Sequence, residues 1–317
     1  MADVAPAANV LISAEELHAA LAAADGGRPP LVLDVRWVLG DPHGREHYRE
    51  RRIPGSLYVD LNEDLAAHAS PLDGRHPLPE PEAFQATARG WGLRNGQNVV
   101  VLDDNGGLAA ARAWWLLRWA GHANVRLLDG GLGAWAAAGY ELGGEQDPMP
   151  ATQPGDVELG SGHLPTLDID GAAAFPEHGV LLDARAGERY RGETEPIDPR
   201  AGHIPGALSA PTGENLRKDG RFKGPDELRA RFAALGADAA AGSRGAVAAY
   251  CGSGVTAAHQ VVALAVAGVD AALYPGSWSQ WSNHQDRPVA TGPEPAAVVS
   301  VPETGSGPER ALGSAER

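Results

Sequence analysis

The 317-residue chain contains one cysteine, and the residues around it are where its chemistry is sought first. Tyr250-Cys251-Gly252-Ser253-Gly254-Val255-Thr256-Ala257 puts the thiol at the end of a short apolar run, in a glycine-containing loop that opens a helical stretch. A loop curled over a helix N-terminus turns backbone N–H groups inward and adds the positive end of the helix dipole. Such a cradle favours the thiolate over the thiol, and would also hold a persulfide, Cys–S–S⁻, once the thiolate had accepted a sulfur atom. Gly252 and Gly254 leave room for the backbone to close in. Many free cysteines are inert packing groups, but the strand, small-residue loop and helix around Cys251 argue for a reactive one. A cysteine phosphatase or arsenate reductase would need an arginine six positions on to clamp its oxyanion, and Ala257 stands there. A lone cysteine excludes an intrachain disulfide, a cysteine-rich zinc site and a Cys-x-x-Cys redox pair, so any resolving thiol must come from another molecule. No metal is implied.

The elements that must position Cys251 emerge when the chain is compared with itself. Leu31-Val32-Leu33-Asp34-Val35-Arg36 matches Val180-Leu181-Leu182-Asp183-Ala184-Arg185, each an apolar run ending in Asp-x-Arg. Arg52-Ile53-Pro54-Gly55-Ser56 matches His203-Ile204-Pro205-Gly206-Ala207. The run Val99–Leu102 leading into Asp103 matches the run leading into Cys251, and Leu128-Asp129-Gly130-Gly131 with Trp135 matches Tyr274-Pro275-Gly276-Ser277 with Trp281. Four anchors in one order and at nearly constant offset mean a duplicated unit. Buried-strand runs alternate with helical stretches such as 109–121 and 257–268. The fold class is therefore α/β, with a parallel β-sheet flanked by helices in each half. The reading divides the chain into domains at 10–140 and 166–290, an exposed linker at 141–165 and a disordered tail at 291–317. Trp114, Trp115 and Trp119 read as core or domain interface, with the first and third on a common helix face.

Composition narrows the function. The 26 basic and 41 acidic residues leave a net charge of -15, which repels nucleic acid and anionic membrane. No apolar run reaches the roughly 20 residues of a bilayer span. The start of the chain lacks a basic n-region and an apolar h-region, so a cytoplasmic protein is expected.

The repeated Asp-x-Arg, Ile-Pro-Gly and Gly-x-x-x-x-Trp anchors, covering about residues 10 to 290, resemble the two-domain rhodanese-like sulfurtransferases. Within that family the loop Cys251-Gly252-Ser253-Gly254-Val255-Thr256 is similar to that of 3-mercaptopyruvate sulfurtransferases. Typical thiosulfate sulfurtransferases instead carry Arg and Lys directly after the cysteine. The charge logic agrees, since Gly252 and Ser253 supply no cation for dianionic thiosulfate. The resemblance implies a catalytically silent first domain, where Asp103 cannot carry sulfane sulfur, and an active second one. It assigns Arg189 to the substrate carboxylate; the family's second substrate arginine follows a Glu-Pro pair directly, and after Glu195-Pro196 the match breaks, so that either Arg200 reaches the site from a shifted position or the second contact is absent. It also joins Asp60 and His76 of the first half to Ser253 in a Ser-His-Asp relay, and makes Gly252, Gly254, Val255 and Thr256 the substrate-facing loop. Arg185 is read as structural, held in a salt bridge.

The expected reaction is attack of the Cys251 thiolate on the sulfur of 3-mercaptopyruvate, release of pyruvate, and passage of the persulfide sulfur to cyanide, a small thiol or reduced thioredoxin. No cofactor is implied. The alternatives are thiosulfate:cyanide sulfur transfer and a non-catalytic persulfide carrier loaded by a partner protein.

Overall fold

A computed structural model describes residues 10–23, 28–149, 152–238 and 246–295. The first half carries five parallel strands: β1 (Leu11–Ile12), β2 (Leu31–Val35), β3 (Leu57–Val59), β4 (Val99–Leu102) and β5 (Val125–Leu128), in the order β1-β5-β4-β2-β3. The second half carries β6 (Val180–Asp183), β7 (Leu208–Ser209), β8 (Val247–Tyr250) and β9 (Ala271–Leu273), in the order β7-β6-β8-β9. The duplication read from the sequence is thus one of topology: β2 to β5 map onto β6 to β9 in the same spatial order. The second sheet's equivalent of β1 shrinks to a single parallel bridge, Thr166 to Leu273.

Central strands β4 and β8 are buried along their whole length. Helices cover both faces of a parallel sheet, so these strands read as unbroken apolar runs, Val-Val-Val-Leu and Val-Ala-Ala-Tyr, without polar alternation.

The repeated motifs perform repeated tasks. Arg36 grips Asp34 at 2.6 Å and donates to the Arg51 carbonyl at 2.7 Å, while Arg185 grips Asp183 at 2.6 Å and donates to the Gly202 carbonyl at 2.6 Å. Each arginine therefore ties the end of a central strand to the chain just before the Ile-Pro-Gly turn. Arg185 is structural, as its motif suggests.

The two halves share one hydrophobic core. Its seam is formed by the helices Ala110–Trp119 and Val255–Val266, whose alanines let them pack closely. The tryptophans are buried here, but Trp115 and Trp119 form the stacked pair, with centroids 6.0 Å apart. The first-and-third pairing is corrected for a simple reason: residues four apart share a helix face and residues five apart do not.

The segment 141–165 is exposed along much of its length, yet it is strapped to the first half. Gly155 N–H donates to the Arg89 carbonyl at 2.7 Å, Gly160 N–H to the Ala120 carbonyl at 2.9 Å, and the Val157 side chain is buried. Of the expected tail, residues 296–317 lie outside the described residues. Among the described residues no helix is long and apolar enough to cross a membrane.

Candidate active site

Cys251 follows β8, at the C-terminal edge of its sheet, where open α/β sheets place their ligand clefts. The loop is short because the helix begins at Val255. Gly254 makes the turn possible: its φ is +80°, and a Cβ there would lie 2.5 Å from the Pro275 carbonyl oxygen. Its N–H donates to Cys251 Sγ at 3.1 Å, and the Cys251 N–H is held by Ser277 Oγ at 3.1 Å. The sulfur thus sits over the first turn of a twelve-residue helix, at the floor of a cleft of about 380 Å³. Both halves line this cleft: Trp37, Leu39, Arg75 and Leu108 from the first, Arg189, Ser253, Val255 and Thr256 from the second.

Ser253 meets His76 across the seam, Oγ to Nδ1 at 2.8 Å, and the other ring nitrogen meets Asn62 Oδ1 at 3.1 Å. An amide oxygen only accepts, so Nε2 carries the proton and Nδ1 accepts from the serine hydroxyl. Burial, reinforced by the Arg112 and Arg75 charges, pulls the His76 pKa down to about 3. The imidazole is therefore neutral and aimed at Ser253.

Asp60 does not occupy the third position of this relay. It caps the short helix Leu61–Asp64, accepting from the N–H groups of Asn62 (3.0 Å) and Glu63 (3.3 Å), and it accepts the Tyr58 hydroxyl at 3.2 Å. The correction has a local cause, since Asp is a preferred N-cap and its carboxylate is used by the helix it starts. That helix presents Asn62 to the histidine. The Asp-x-Asn pattern at a helix start was a signal present in the sequence.

Arg200 is likewise placed elsewhere. Its guanidinium donates to the carbonyls of Trp281 (2.8 Å), Ser282 (2.8 Å), His284 (2.6 Å) and Arg287 (2.8 Å), pinning the segment that closes the second half. With its fork used on backbone, it has no face left for a substrate.

Arg189 does line the cleft. It is oriented by Glu195 at 2.6 Å and Asp198 at 3.5 Å, and Glu195 also bonds Arg185 at 3.3 Å. Arg75, on the residue before His76, reaches the same Asp198 from the first half. A Cβ on Gly252 would lie 3.0 Å from Arg75 Nη2 and 3.5 Å from Arg189 Nη1. Gly252 is thus small because two guanidinium groups occupy the space above it.

Arg112, like Arg75, carries no mark of its place in the local sequence. It is fully buried in the seam and donates to the carbonyls of His76 (3.0 Å) and Gly254 (3.4 Å), binding the relay histidine's loop to the cysteine loop. Burial lowers its pKa to about 10, so it remains a cation at neutral pH.

The rhodanese-like domain family matches this chain twice, over residues 13–138 and 170–284. The chain belongs to that family. This rhodanese-like chain is 46% identical over 290 residues to a putative thiosulfate sulfurtransferase, SseB, of Mycobacterium tuberculosis, covering 90% of this chain and 98% of the relative. It is 47% identical over 295 residues to a probable 3-mercaptopyruvate sulfurtransferase of Pseudomonas aeruginosa, covering 89% and 98%. Among solved structures it is similar to SseA of Escherichia coli, reported as a 3-mercaptopyruvate sulfotransferase of the rhodanese fold. That match has a TM-score of 0.71 and 30% identity over 84% of this chain and 98% of that one. The chain thus carries two rhodanese-like domains, as the duplicated motifs suggest.

Proposed function

We propose that this protein is a sulfurtransferase that moves sulfur from 3-mercaptopyruvate through a Cys251 persulfide to a thiol or cyanide, with the first domain catalytically silent. The observation that carries the reading is the sulfur of Cys251 at the floor of a cleft, with the Gly254 N–H 3.1 Å away and a helix N-terminus beneath it. The donor is taken from the Pseudomonas aeruginosa relative and from SseA of Escherichia coli, whereas the Mycobacterium tuberculosis relative is named for thiosulfate.

In the first half-reaction the thiolate attacks the donor sulfur, an S–S bond forms and the C–S bond breaks. The electron pair leaves on the three-carbon fragment as the enolate of pyruvate. The donor's S–H proton must reach the methyl carbon, leaving Cys–S–S⁻ and pyruvate. Ser253, two residues from Cys251 and hydrogen-bonded to a neutral His76, can relay that proton. In the second half-reaction the acceptor attacks the outer sulfur and Cys251 leaves as the thiolate, a ping-pong scheme. Cyanide, a small thiol or reduced thioredoxin has the required nucleophile. A working thiol without an intrachain partner suits a reducing compartment, and we place the reaction in the cytoplasm.

Thiosulfate is the second reading. It is favoured by the guanidinium groups of Arg75 and Arg189, which stand over Gly252 where a loop cation would otherwise sit.

The test is steady-state transfer to cyanide from 3-mercaptopyruvate and from thiosulfate, wild type against Cys251→Ser. The expected result is a strong preference for 3-mercaptopyruvate and a dead variant. A thiosulfate preference selects the second reading. Full pyruvate release by Cys251→Ser overturns both, and absence of turnover on either donor points to a sulfur carrier.

A further inference from the structure

The seam between the two halves holds another cavity, at the end of the paired helices opposite to Cys251. It has a volume of about 280 Å³ and is walled by Trp114 and Arg118 of the helix Ala110–Trp119, by Val261 and Ala265 of the helix Val255–Val266, and by Asp270. The segment 141–165 crosses its side, where Leu164 joins the wall and the neighbouring His163 N–H is tied to the Trp119 carbonyl at 3.0 Å. Cys251 precedes the first turn of the Val255–Val266 helix and Ala265 stands in its last, so the cavity and the sulfur are on the order of 15 Å apart along that helix. The cavity wall is mostly apolar but carries both signs of charge. The Arg118 guanidinium lies over the Trp114 ring, 5.0 Å from its centroid, and makes no hydrogen bond or ion pair among the described residues. Asp270 makes none either; each feels the other's charge, but across more than the 4.0 Å of an ion pair. The buried Trp114 indole N–H is also without a partner among the described residues.

We propose that this cavity is a binding site for a free α-amino acid with an apolar side chain, its carboxylate on Arg118, its ammonium on Asp270 and its side chain against Trp114, Val261 and Ala265. An arginine and an aspartate held too far apart to pair suit a zwitterion, whose two charges hang from one carbon. A plain carboxylic acid would satisfy Arg118 and bring its charge toward Asp270, and an amine would do the reverse. The helix ends act in the same sense. Both helices turn their C-terminal ends, which carry partial negative charge, toward this end of the seam, and so favour an ammonium group and oppose an anion that comes alone. A guanidinium with its fork free takes a carboxylate in two parallel charge-assisted hydrogen bonds. The volume is near the lower bound for small-molecule pockets, which fits a single amino acid such as leucine. Arg118 and Trp114 come from the first half, and Asp270, Val261 and Ala265 from the second, so the occupant bridges the two domains. The site is independent of the sulfur chemistry in the cleft.

The experiment is a calorimetric titration of the full chain with L-leucine, after Cys251 has been capped with iodoacetamide to obstruct the cleft. Leucine is expected to bind with a Kd of about 1 mM or tighter. 4-Methylpentanoate, which lacks the ammonium, and 3-methylbutylamine, which lacks the carboxylate, should each bind about tenfold or more weakly than leucine, the loss of one charge-assisted contact. Arg118→Gln and Asp270→Asn should weaken leucine by a similar factor, and in Asp270→Asn leucine loses its advantage over 4-methylpentanoate. Ala265→Leu, which fills the cavity, should abolish binding, and it serves if Arg118→Gln does not fold. Sulfur transfer by the uncapped variants is expected to be unchanged, because none of the three residues lines the cleft. Failure of the capped wild type to bind leucine overturns the site, and so does leucine binding that survives Ala265→Leu. Equal affinity for leucine and 4-methylpentanoate overturns the assignment to an amino acid.

Discussion

The loops after β4 and β8 occupy the same place in their sheets and are built to opposite ends. After β4, the Asp103 carboxylate accepts the N–H groups of Asn105 (2.9 Å), Gly107 (2.8 Å), Ala109 (2.9 Å) and Ala110 (3.0 Å). The loop has closed around its own anion. After β8, Cys251 Sγ accepts one backbone N–H and opens onto a cleft. The first loop takes seven residues to reach its helix, from Asp103 to Ala110, and wraps the carboxylate. The second takes four, from Cys251 to Val255, and leaves the sulfur accessible to a ligand. An anion cradle is therefore a property of the fold, and what fills it decides whether a half is structural or reactive.

Each loop is also watched by a buried histidine from the opposite half. His76 faces Ser253 in the second loop, and His259, on the Val255–Val266 helix, reaches the Gly106 carbonyl of the first at 3.2 Å. Burial lowers both, His76 to about 3 and His259 to about 4. Only His76 touches a hydroxyl next to a nucleophile. His259 meets Thr212 Oγ1 at 2.7 Å and a backbone carbonyl, so it serves the seam alone.

The sharpest way to break the comparison is to empty the cradles. Asp103→Ala leaves four N–H groups without their acceptor, three of them buried, and is expected to cost about 3 kcal/mol or more of stability. Cys251→Ala removes one weak acceptor and should cost about 1–2 kcal/mol. Denaturant melts of the two variants measure the difference. Equal losses would mean that the first loop is no more dependent on its anion than the second. Asp103→Ala that folds should retain sulfur transfer per folded molecule.

A smaller effect sharpens the pairing of histidines. A base whose folded pKa is depressed contributes stability above its unfolded pKa, and that stability is lost as pH falls through about 6.5 toward 3 for His76, or toward 4 for His259. Across that window the unfolded chain binds the extra proton. Each histidine should therefore contribute a slope of about 1.4 kcal/mol per pH unit. His76→Gln and His259→Gln are each expected to flatten the acid limb of wild-type stability, and an undiminished limb in either variant would show that its ring is already solvated. In kcat/KM of the wild type, no His76 ionisation is expected between pH 5 and 9.

Much of this was legible before any coordinates. Buried central strands, Asp-x-Arg ties and Pro-Gly turns are local patterns, and a duplication announces itself when each pattern occurs twice in one order. Arg200 and Asp60 were misplaced because their local sequence is ambiguous. An arginine near a Glu-Pro pair can face a cleft or bond backbone carbonyls, and an aspartate beside a short helix can serve a histidine or cap the helix. Arg75 and Arg112 were passed over because their partners lie far off in the chain, and Asn62 because its one local signal, the Asp-x-Asn start of a helix, marks a cap as readily as a partner for His76.

By itself the amino-acid sequence determined the two α/β halves, the strand-end position of Cys251, and the absence of a second thiol, since strand burial, turns and capping are governed by neighbouring residues. Only the tertiary structure decided which side chains of the first half attend the sulfur of the second. His76 and Ser253 are 177 residues apart in the chain, and Arg75 and Asp198 are 123 apart. They meet because two alanine-rich helices pack into one core, and contacts made by that packing depend on shape across the seam, which no local spacing encodes.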